Sequence, residues 1–241
     1  MSKPSERISV VIPVLNEEKI IEKNTKKLMD YLDSLLFLKD YEIILAENGS
    51  RDKTLRIANK LEKELSQVVV ASIPFSSWGE AYRQGVALAK NSVITYAIDL
   101  AFDMAFIGRA TKLLNQYPIV IGCRYAGDTR VERPLHRKLI SKINAPVVKA
   151  IFGTRFQDID GIRAMRKKVA KEIVRKTTAM GSFWDTELMV LISKSGLSYL
   201  EIPVDHVEFR KSRFKIRKLI LDHLVQLLSN SRRLRAIQPR S

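Results

Sequence analysis

The stretch Val93–Asp103, VITYAIDLAFD, constrains the fold of this chain more than any other part of the sequence. Residues 93–98 are apolar apart from two hydroxyl side chains, which predicts a central parallel strand that is covered on both faces. Asp99 follows directly, and Asp103 lies four residues further on. Because ligands of open α/β sheets bind beyond the carboxyl ends of the strands, we interpret both carboxylates as site residues. The alternative is that Asp99 caps the helix whose apolar pattern begins near Met104.

Predicted strands and helices alternate from residue 8 to about residue 122, with strands near 8–14, 41–46, 67–73, 93–98 and 119–121. This alternation predicts an α/β fold with a doubly wound, mostly parallel sheet and flanking helices. The first helix is predicted to open at Asn16, a residue type that suits an N-cap. The predicted strand ends present polar side chains, namely Glu17, Glu47, Asn48, Asp99 and Asp103.

The glycine patterns of dinucleotide-binding and P-loop proteins do not follow the first strand, which disfavours both kinds of phosphate site. A nucleotide pocket built from carboxylates, with a divalent cation, remains. The only cysteine, Cys123, excludes an intramolecular disulfide and a cysteine metal cluster.

The positive charge of the chain is concentrated in its second half. Residues 121–241 carry 26 Lys and Arg against 11 Asp and Glu, and the whole chain has a net charge of +16. Such an excess implies an anionic partner, which is a phosphate compound, a nucleic acid or an anionic membrane. The sequence contains no recognised nucleic-acid-binding module and no basic patch with interleaved aromatic residues, so we expect no nucleic acid partner.

Two basic-rimmed amphipathic helices are predicted in the second half, at Arg133–Phe152 and Lys215–Ser229. Helices of this kind lie on anionic lipid, or else pack their apolar faces on the sheet. No apolar run approaches the ~18 residues of a membrane span. We therefore expect a cytoplasmic protein that is peripheral on the cytoplasmic face of a membrane.

The motifs of the chain, taken in order, resemble those of glycosyltransferase family 2. In the first half they are Pro13–Glu17, Glu47–Asp52, Gly79–Gly85, Asp99–Asp103 and Gly122–Tyr125. In the second half they are Asp158–Arg163, Phe183–Glu187, Glu201–Val204 and Arg210–Lys215. The subgroup that the chain is most similar to is the polyprenyl-phosphate sugar synthases, such as the dolichyl-phosphate mannose synthases. The resemblance implies a GT-A fold over residues 1–212, with a nucleotide-sugar half (1–122), an acceptor half (123–212) and a basic amphipathic helix and tail at 213–241.

The resemblance also assigns the nucleotide-sugar site. In the family's P-x-Y-N-E pattern the Tyr and the Glu contact the base, and Leu15 and Glu17 stand at these positions. Ala101 replaces the middle acid of the family's metal-binding motif. The implied ligands of the nucleotide sugar are Pro13, Leu15, Glu17, Glu47, Asn48, Asp99 and Arg210. Asp99 and Asp103 are the implied ligands of Mg²⁺ or Mn²⁺.

The activity implied by the resemblance is inverting transfer of a hexose from a GDP-mannose or UDP-glucose type donor to a polyprenyl or dolichyl phosphate at the membrane surface. The implied phosphate ligands are Arg124, Arg137 and Arg163, and the implied catalytic residues are Asp99, Asp103, Arg124 and Asp185. An anionic membrane surface and a membrane-embedded protein are the further expected partners.

Three alternatives remain at this stage. A family 2 transferase that acts on a sugar hydroxyl would need a carboxylate base, for which Asp185 or Asp160 is the candidate. A degenerate, non-catalytic member is the second, because of Ala101. A basic nucleic-acid-binding protein is the third.

Overall fold

The computed structural model of the chain describes residues 7–208 and 216–237 of 241, and for residues 135–142 and 216–224 it describes the backbone alone. The first half contains β1 (Arg7–Val14), α1 (Ile21–Asp33), β2 (Asp40–Asn48), α2 (Thr54–Glu64), β3 (Val68–Ile73), α3 (Trp78–Leu88), β4 (Ser92–Thr95), α4 (Ala105–Leu113) and β5 (Ile119–Cys123). The second half contains β6 (Val131–Glu132), α5 (Leu135–Phe152), β7 (Arg163–Met165), α6 (Lys167–Val174), α7 (Phe183–Lys194), β8 (Tyr199–Pro203), β9 (His206–Val207) and α8 (Ile216–Ala236).

Seven strands form one mostly parallel sheet in the order β3-β2-β1-β4-β7-β5-β8, which confirms the predicted α/β fold. Helices cover both faces of this sheet, because the strand residues alternate between two apolar clusters. In β1, Val11 belongs to one cluster, and Val10 and Ile12 belong to the other. Gly85 of α3 permits the closest helix approach, since a Cβ there would lie 2.5 Å from Cγ1 of Val11.

The antiparallel strand β7 lies between β4 and β5 and was not predicted from the sequence. Thr95 at the end of β4 pairs with Arg163, and Ile121 of β5 pairs with the same residue. The first residue of β7 therefore lies at the sheet edge where β4 and β5 end. The strand predicted at 93–98 is three residues too long, because sheet pairing of β4 stops at Thr95.

The two predicted amphipathic helices are present as α5 and α8, and α8 continues seven residues beyond the predicted end at Ser229. Leu227 and Leu234 of α8 are buried in the core, whereas Val225 and Leu228 are 56% and 70% exposed. The described part of α8 thus packs one face on the protein and leaves apolar side chains in solvent. The predicted boundary at residue 213 lies outside the described residues. Over the described residues, no helix is long and apolar enough to cross a membrane.

Candidate active site

Asp99 and Asp103 lie in the connection between β4 and α4, beyond the carboxyl end of β4. Asp99 Oδ1 accepts a hydrogen bond from the amide of Ala101 at 3.2 Å, and Asp103 Oδ1 accepts one from the amide of Ala105 at 2.9 Å. Ala105 is the first residue of α4, so the carboxylate that bonds to the start of this helix belongs to Asp103 and not to Asp99. Burial, and then the charges of Asp103 and Asp99, raise the pKa of Tyr96 well above 10.0.

A segment of the second half pairs with this connection and fixes its course. The amide of Asp103 donates to the carbonyl of Asp205 at 3.0 Å, and the Phe102 ring packs edge-on against His206 at 4.5 Å between ring centroids. Burial, followed by the charges of Arg124 and Arg133, lowers the pKa of His206 to about 3. His206 is consequently a neutral packing residue at physiological pH.

The donor set around Asp99 and Asp103 fits a hard divalent cation that takes most of its ligands from a substrate. Among the described residues, no group of three His, Cys, Asp or Glu side chains is placed to hold a metal ion. Ala101, at the position of the missing middle acid, is buried. Mg²⁺ is commonly held by one or two carboxylates together with substrate phosphates and water, and two carboxylates meet that requirement.

Glu47 and Asn48 end β2, and each uses its side chain to hold neighbouring loops. Both are 1% exposed. Glu47 accepts from the Ser50 amide at 2.5 Å and from the Ser72 hydroxyl at 2.9 Å, and the Asn48 side-chain amide donates to the Val14 carbonyl at 3.2 Å. They shape the ends of β1, β2 and β3, and their contact with a nucleotide stays a prediction.

The loop after β1, which carries Leu15 and Glu17, lies against the loop after β2. Asn16 has a φ of 54° and its side-chain oxygen accepts from the Arg51 amide at 2.8 Å, while the Glu17 amide donates to the Thr54 hydroxyl at 2.7 Å. The prediction that Asn16 opens the first helix is wrong, because α1 begins at Ile21 and the Asn16 side chain joins the two loops instead. The fold thus gathers the predicted nucleotide residues Pro13, Leu15, Glu17, Glu47 and Asn48.

Arg124, predicted to bind the acceptor phosphate, forms a buried two-pronged ion pair with Asp158. Its Nε and Nη2 atoms donate to the Asp158 carboxylate at 2.7 and 2.6 Å, and both side chains are 1% exposed. Asp160 lies 3.5 Å from the same guanidinium, with its side chain 40% exposed. Arg124 also lines a cleft of about 740 Å³ with Lys149 and other polar and apolar residues, namely Tyr125, Gly127, Thr129, Val131, Ala145, Pro146, Phe156 and Gln157.

Arg163, at the start of β7, pairs with Asp185 of α7. The two side chains meet at 2.7 Å, and Asp185 also accepts from the indole nitrogen of Trp78 at 3.3 Å. Burial raises the pKa of Asp185 above 3.8, and Arg163 opposes that shift. The binding of phosphate by Arg124 and Arg163 stays a prediction, and each guanidinium already has a carboxylate partner. The side chain of Arg137 and the whole of Arg210 lie outside the described residues.

Sequence reasoning did not predict the partners of three residues near Arg124 and Asp185, namely Asp158, Glu187 and Trp78. Asp158 stands in the DIDGIR motif, so its position was marked although its partner was not. Glu187 was noticed beside Asp185, and the two point to different partners, as their spacing on a helix requires. Trp78 carried no signal in the sequence.

The sequence profile described as Glycosyl transferase family 2 matches residues 9–174. Glycosyltransferase AglD of Haloferax volcanii is 26% identical over 221 residues, which are 85% of this chain and 35% of that protein. Dolichyl-phosphate beta-glucosyltransferase ALG5D of Trichomonas vaginalis is 22% identical, over 90% of this chain and 71% of that protein. Dolichol-phosphate mannosyltransferase of Pyrococcus furiosus is 29% identical, over 69% of this chain and 48% of that protein. The chain thus spans about a third, about seven tenths and about half of these relatives.

Solved structures share the fold. Glucosyl-3-phosphoglycerate synthase from Mycobacterium tuberculosis, in complex with Mn²⁺, UDP and glucosyl-3-phosphoglycerate, superimposes with a TM-score of 0.62 at 20% identity. The superposition covers 98% of this chain and 81% of that one. It confirms the GT-A type of sheet that the resemblance implies. Because the family profile covers well over half of the sequence, this chain belongs to glycosyl transferase family 2.

Proposed function

We propose that this protein transfers a hexose, with inversion, from a nucleotide diphosphate sugar to a polyprenyl phosphate. Two of its relatives are named for dolichyl or dolichol phosphate, one as a glucosyltransferase and one as a mannosyltransferase. The main support for a phosphate acceptor is the ion pair between Asp185 and Arg163, in which Oδ1 and Nη1 lie 2.7 Å apart.

A hydroxyl acceptor needs a carboxylate that takes up its proton, whereas a phosphate monoester is already anionic near neutral pH. A proton taken up by Asp185 would break its ion pair and leave the buried guanidinium of Arg163 without its partner. Because Oδ1 already accepts from Arg163 and Oδ2 from Trp78, proton uptake from an acceptor hydroxyl would have to displace one of these two bonds, which disfavours Asp185 as the general base. A phosphate acceptor attacks the anomeric carbon without this step.

The residues of this chain then act by positioning and by charge. Pro13, Leu15, Glu17, Glu47 and Asn48 form the nucleoside side, and we assign Arg210 to the diphosphate of the nucleotide sugar. Asp99 and Asp103 would hold a divalent cation, Mg²⁺ or Mn²⁺, and the bound cation would neutralise charge on the leaving diphosphate. We assign Arg124, Arg137 and Arg163 to the acceptor phosphate, because a guanidinium matches the oxygen atoms of a phosphate.

The acceptor class is tested by radiolabelled sugar transfer, with UDP-glucose and GDP-mannose each offered to a short-chain polyprenyl phosphate and to its unphosphorylated alcohol. We expect transfer to the phosphate alone. We also expect the Asp185→Asn variant, which keeps the shape and the bond from Trp78, to lose less than the ~10²–10⁴-fold that removal of a general base costs.

The outcome that contradicts a phosphate acceptor is transfer to the alcohol alone. If the transfer rate of Asp185→Asn also falls by ~10²–10⁴-fold, the results favour a transferase that acts on a hydroxyl acceptor. Asp160→Asn is the parallel variant, because Asp160 is the half-exposed carboxylate beside Arg124. Nucleotide binding without transfer to either acceptor would favour a non-catalytic member, and Ala101→Asp would then be the change to test.

We further propose that the protein works at an anionic membrane surface, on the cytoplasmic face and beside a membrane-embedded partner protein. Three apolar side chains on α5 and α8 support this placement, because they are more than half exposed: Ile143 (53%), Val225 (56%) and Leu228 (70%). Exposed basic side chains, Lys149 and Arg232, lie on the same two helices. Apolar residues with a basic rim are typical of helices that lie on anionic lipid.

The double variant Val225→Glu/Leu228→Glu should bind vesicles of phosphatidylserine and phosphatidylcholine at least about 10-fold more weakly, because burial of one large apolar side chain contributes roughly 1.5–3 kcal/mol. Binding of the unchanged protein should fall steeply with added salt. Vesicle flotation at several salt concentrations measures both effects.

Leu36→Glu is the matched control, because Leu36 is 98% exposed just after α1. Point variants are preferable to removal of residues 214–241, since the removal would also take Leu227 and Leu234 out of the core. Equal flotation of the double variant and the control would exclude α8 as the anchor.

A further inference from the structure

The loop of residues 177–182, between α6 and α7, packs tightly against the start of α3. The amide of Gly79 donates to the carbonyl of Met180 at 3.0 Å, and Arg83 donates to the carbonyl of Ala179 at 3.1 Å. A Cβ at position 79 would lie 1.9 Å from the Ala179 oxygen, so the contact leaves no room for any side chain. A shift of this loop must therefore move the start of α3 as well.

The start of α3 and the 177–182 loop together carry the acceptor side of the candidate site. Trp78, the first residue of α3, donates to Asp185 at 3.3 Å, and Asp185 pairs with Arg163. Trp184 donates to the Thr177 hydroxyl at 3.0 Å from the other side of the loop. The position of the loop therefore sets the positions of Trp78 and Asp185.

One fully buried carboxylate joins this loop to α8. Glu187 is 0% exposed and accepts from the amides of Thr178 and Ala179 at 2.9 and 2.7 Å, and from the Thr178 hydroxyl at 3.1 Å. Its remaining partner is the guanidinium of Arg233 on α8. A buried charge needs a compensating charge, and Arg233 supplies it from α8.

We propose that Arg233 is a positioning residue, which acts through Glu187 to hold the 177–182 loop, and with it Trp78 and Asp185, in the arrangement that receives the acceptor. This proposal rests on the proposed function in one respect, because the proposed function assigns Trp78 and Asp185 to the acceptor side. It makes the docking of α8 on the protein a requirement for an ordered acceptor side. Among the described residues, neither Glu187 nor Arg233 bonds to a residue of β1 or β2, so we expect the nucleotide side to keep its arrangement.

The expected effect of Arg233→Met is a loss confined to the acceptor side. Misplacement of a substrate-positioning group by about 1 Å can cost about 10²-fold in rate, so kcat/KM for the polyprenyl phosphate should fall by about 10–10²-fold. The dissociation constant of the nucleotide, measured by calorimetry, should not change. Arg233→Lys, which restores the charge, should recover part of the loss.

A second readout does not depend on catalysis. The chain has two tryptophans, Trp78 and Trp184, and both contact this region. In a Trp78→Phe background the remaining Trp184 is 0% exposed, so acrylamide should quench its fluorescence weakly. Addition of Arg233→Met should make the quenching clearly stronger without global unfolding.

Arg175→Met is the matched control, because Arg175 is exposed just after α6, beside the same loop, and its loss changes the net charge equally. The proposal is overturned if Arg233→Met behaves like this control in both readouts. It is also overturned if Arg233→Met lowers the nucleotide affinity as much as it lowers kcat/KM for the polyprenyl phosphate. Glu187→Gln should reproduce the quenching change if Arg233→Met does not fold. If the wild-type protein transfers sugar to no lipid phosphate while Arg233→Met still increases the quenching, the proposed function is refuted. The connection between α8 and the loop then stands.

Discussion

Replacement of Asp99 with Asn is expected to lower hexose transfer by about 10²–10³-fold, the usual cost of removing one group that stabilises developing charge. Asn has the shape of Asp and can still accept from the Ala101 amide, so the β4–α4 connection should keep its course. What disappears is one of the two carboxylates in the donor set for the cation. Calorimetry should show that Asp99→Asn binds UDP and GDP in the presence of Mn²⁺ with an affinity close to the one measured in the presence of a metal chelator.

Asp205→Asn is the matched control for this experiment. Asp205 pairs through its backbone with Asp103, and its side chain is exposed. This variant removes one negative charge near the site without removing a proposed ligand. An unchanged nucleotide affinity in Asp99→Asn, or an equal decrease in both variants, would contradict a metal-holding role for Asp99.

The fold could be predicted largely from the sequence because its signals are local. Apolar runs that alternate with helical patterns over residues 8–122 dictate a parallel sheet. The strand β7 was not predicted because it has only three residues, Arg163–Met165, and a segment so short shows no periodicity of apolar residues. The start of α1 was misplaced because Asn16 looks like a cap in isolation, whereas its side chain bonds to Arg51 across two loops.

The sequence could predict where the candidate site lies, but not which carboxylates pair with its arginines. Strand ends located Asp99 and Asp103 correctly, since every parallel strand delivers its end to the same edge. The roles of Arg124 and Arg163 depended on which carboxylates lie opposite them. Asp158 comes 34 residues after Arg124, and the antiparallel course of β7 brings the two together. No local pattern contains that information.

The second large effect is expected from Asp158→Asn, which should lower the free energy of unfolding by about 3–5 kcal/mol, the usual cost of breaking a buried ion pair from one side. Asp158 receives both prongs of Arg124 and also the amides of Arg124 and Asp160, at 2.9 and 3.1 Å. Asn keeps the shape but leaves the Arg124 guanidinium buried without its charge partner. Denaturant unfolding measures the difference.

Asp160→Asn is the control, because Asp160 faces the same guanidinium from a half-exposed position and should cost no more than about 1 kcal/mol. The same pair predicts a pH dependence. Burial alone raises the pKa of Asp158, but the charge and hydrogen bonds of Arg124 outweigh it and hold that pKa below 3.8.

A carboxylate with a depressed folded-state pKa contributes stability that is present above its unfolded-state pKa and is lost as the pH falls through the folded-state value. The unchanged protein should therefore lose this contribution only below about pH 4, and Asp158→Asn should show a shallower acid dependence. If Asp158→Asn unfolds at the same denaturant concentration as the unchanged protein, Arg124 does not depend on Asp158.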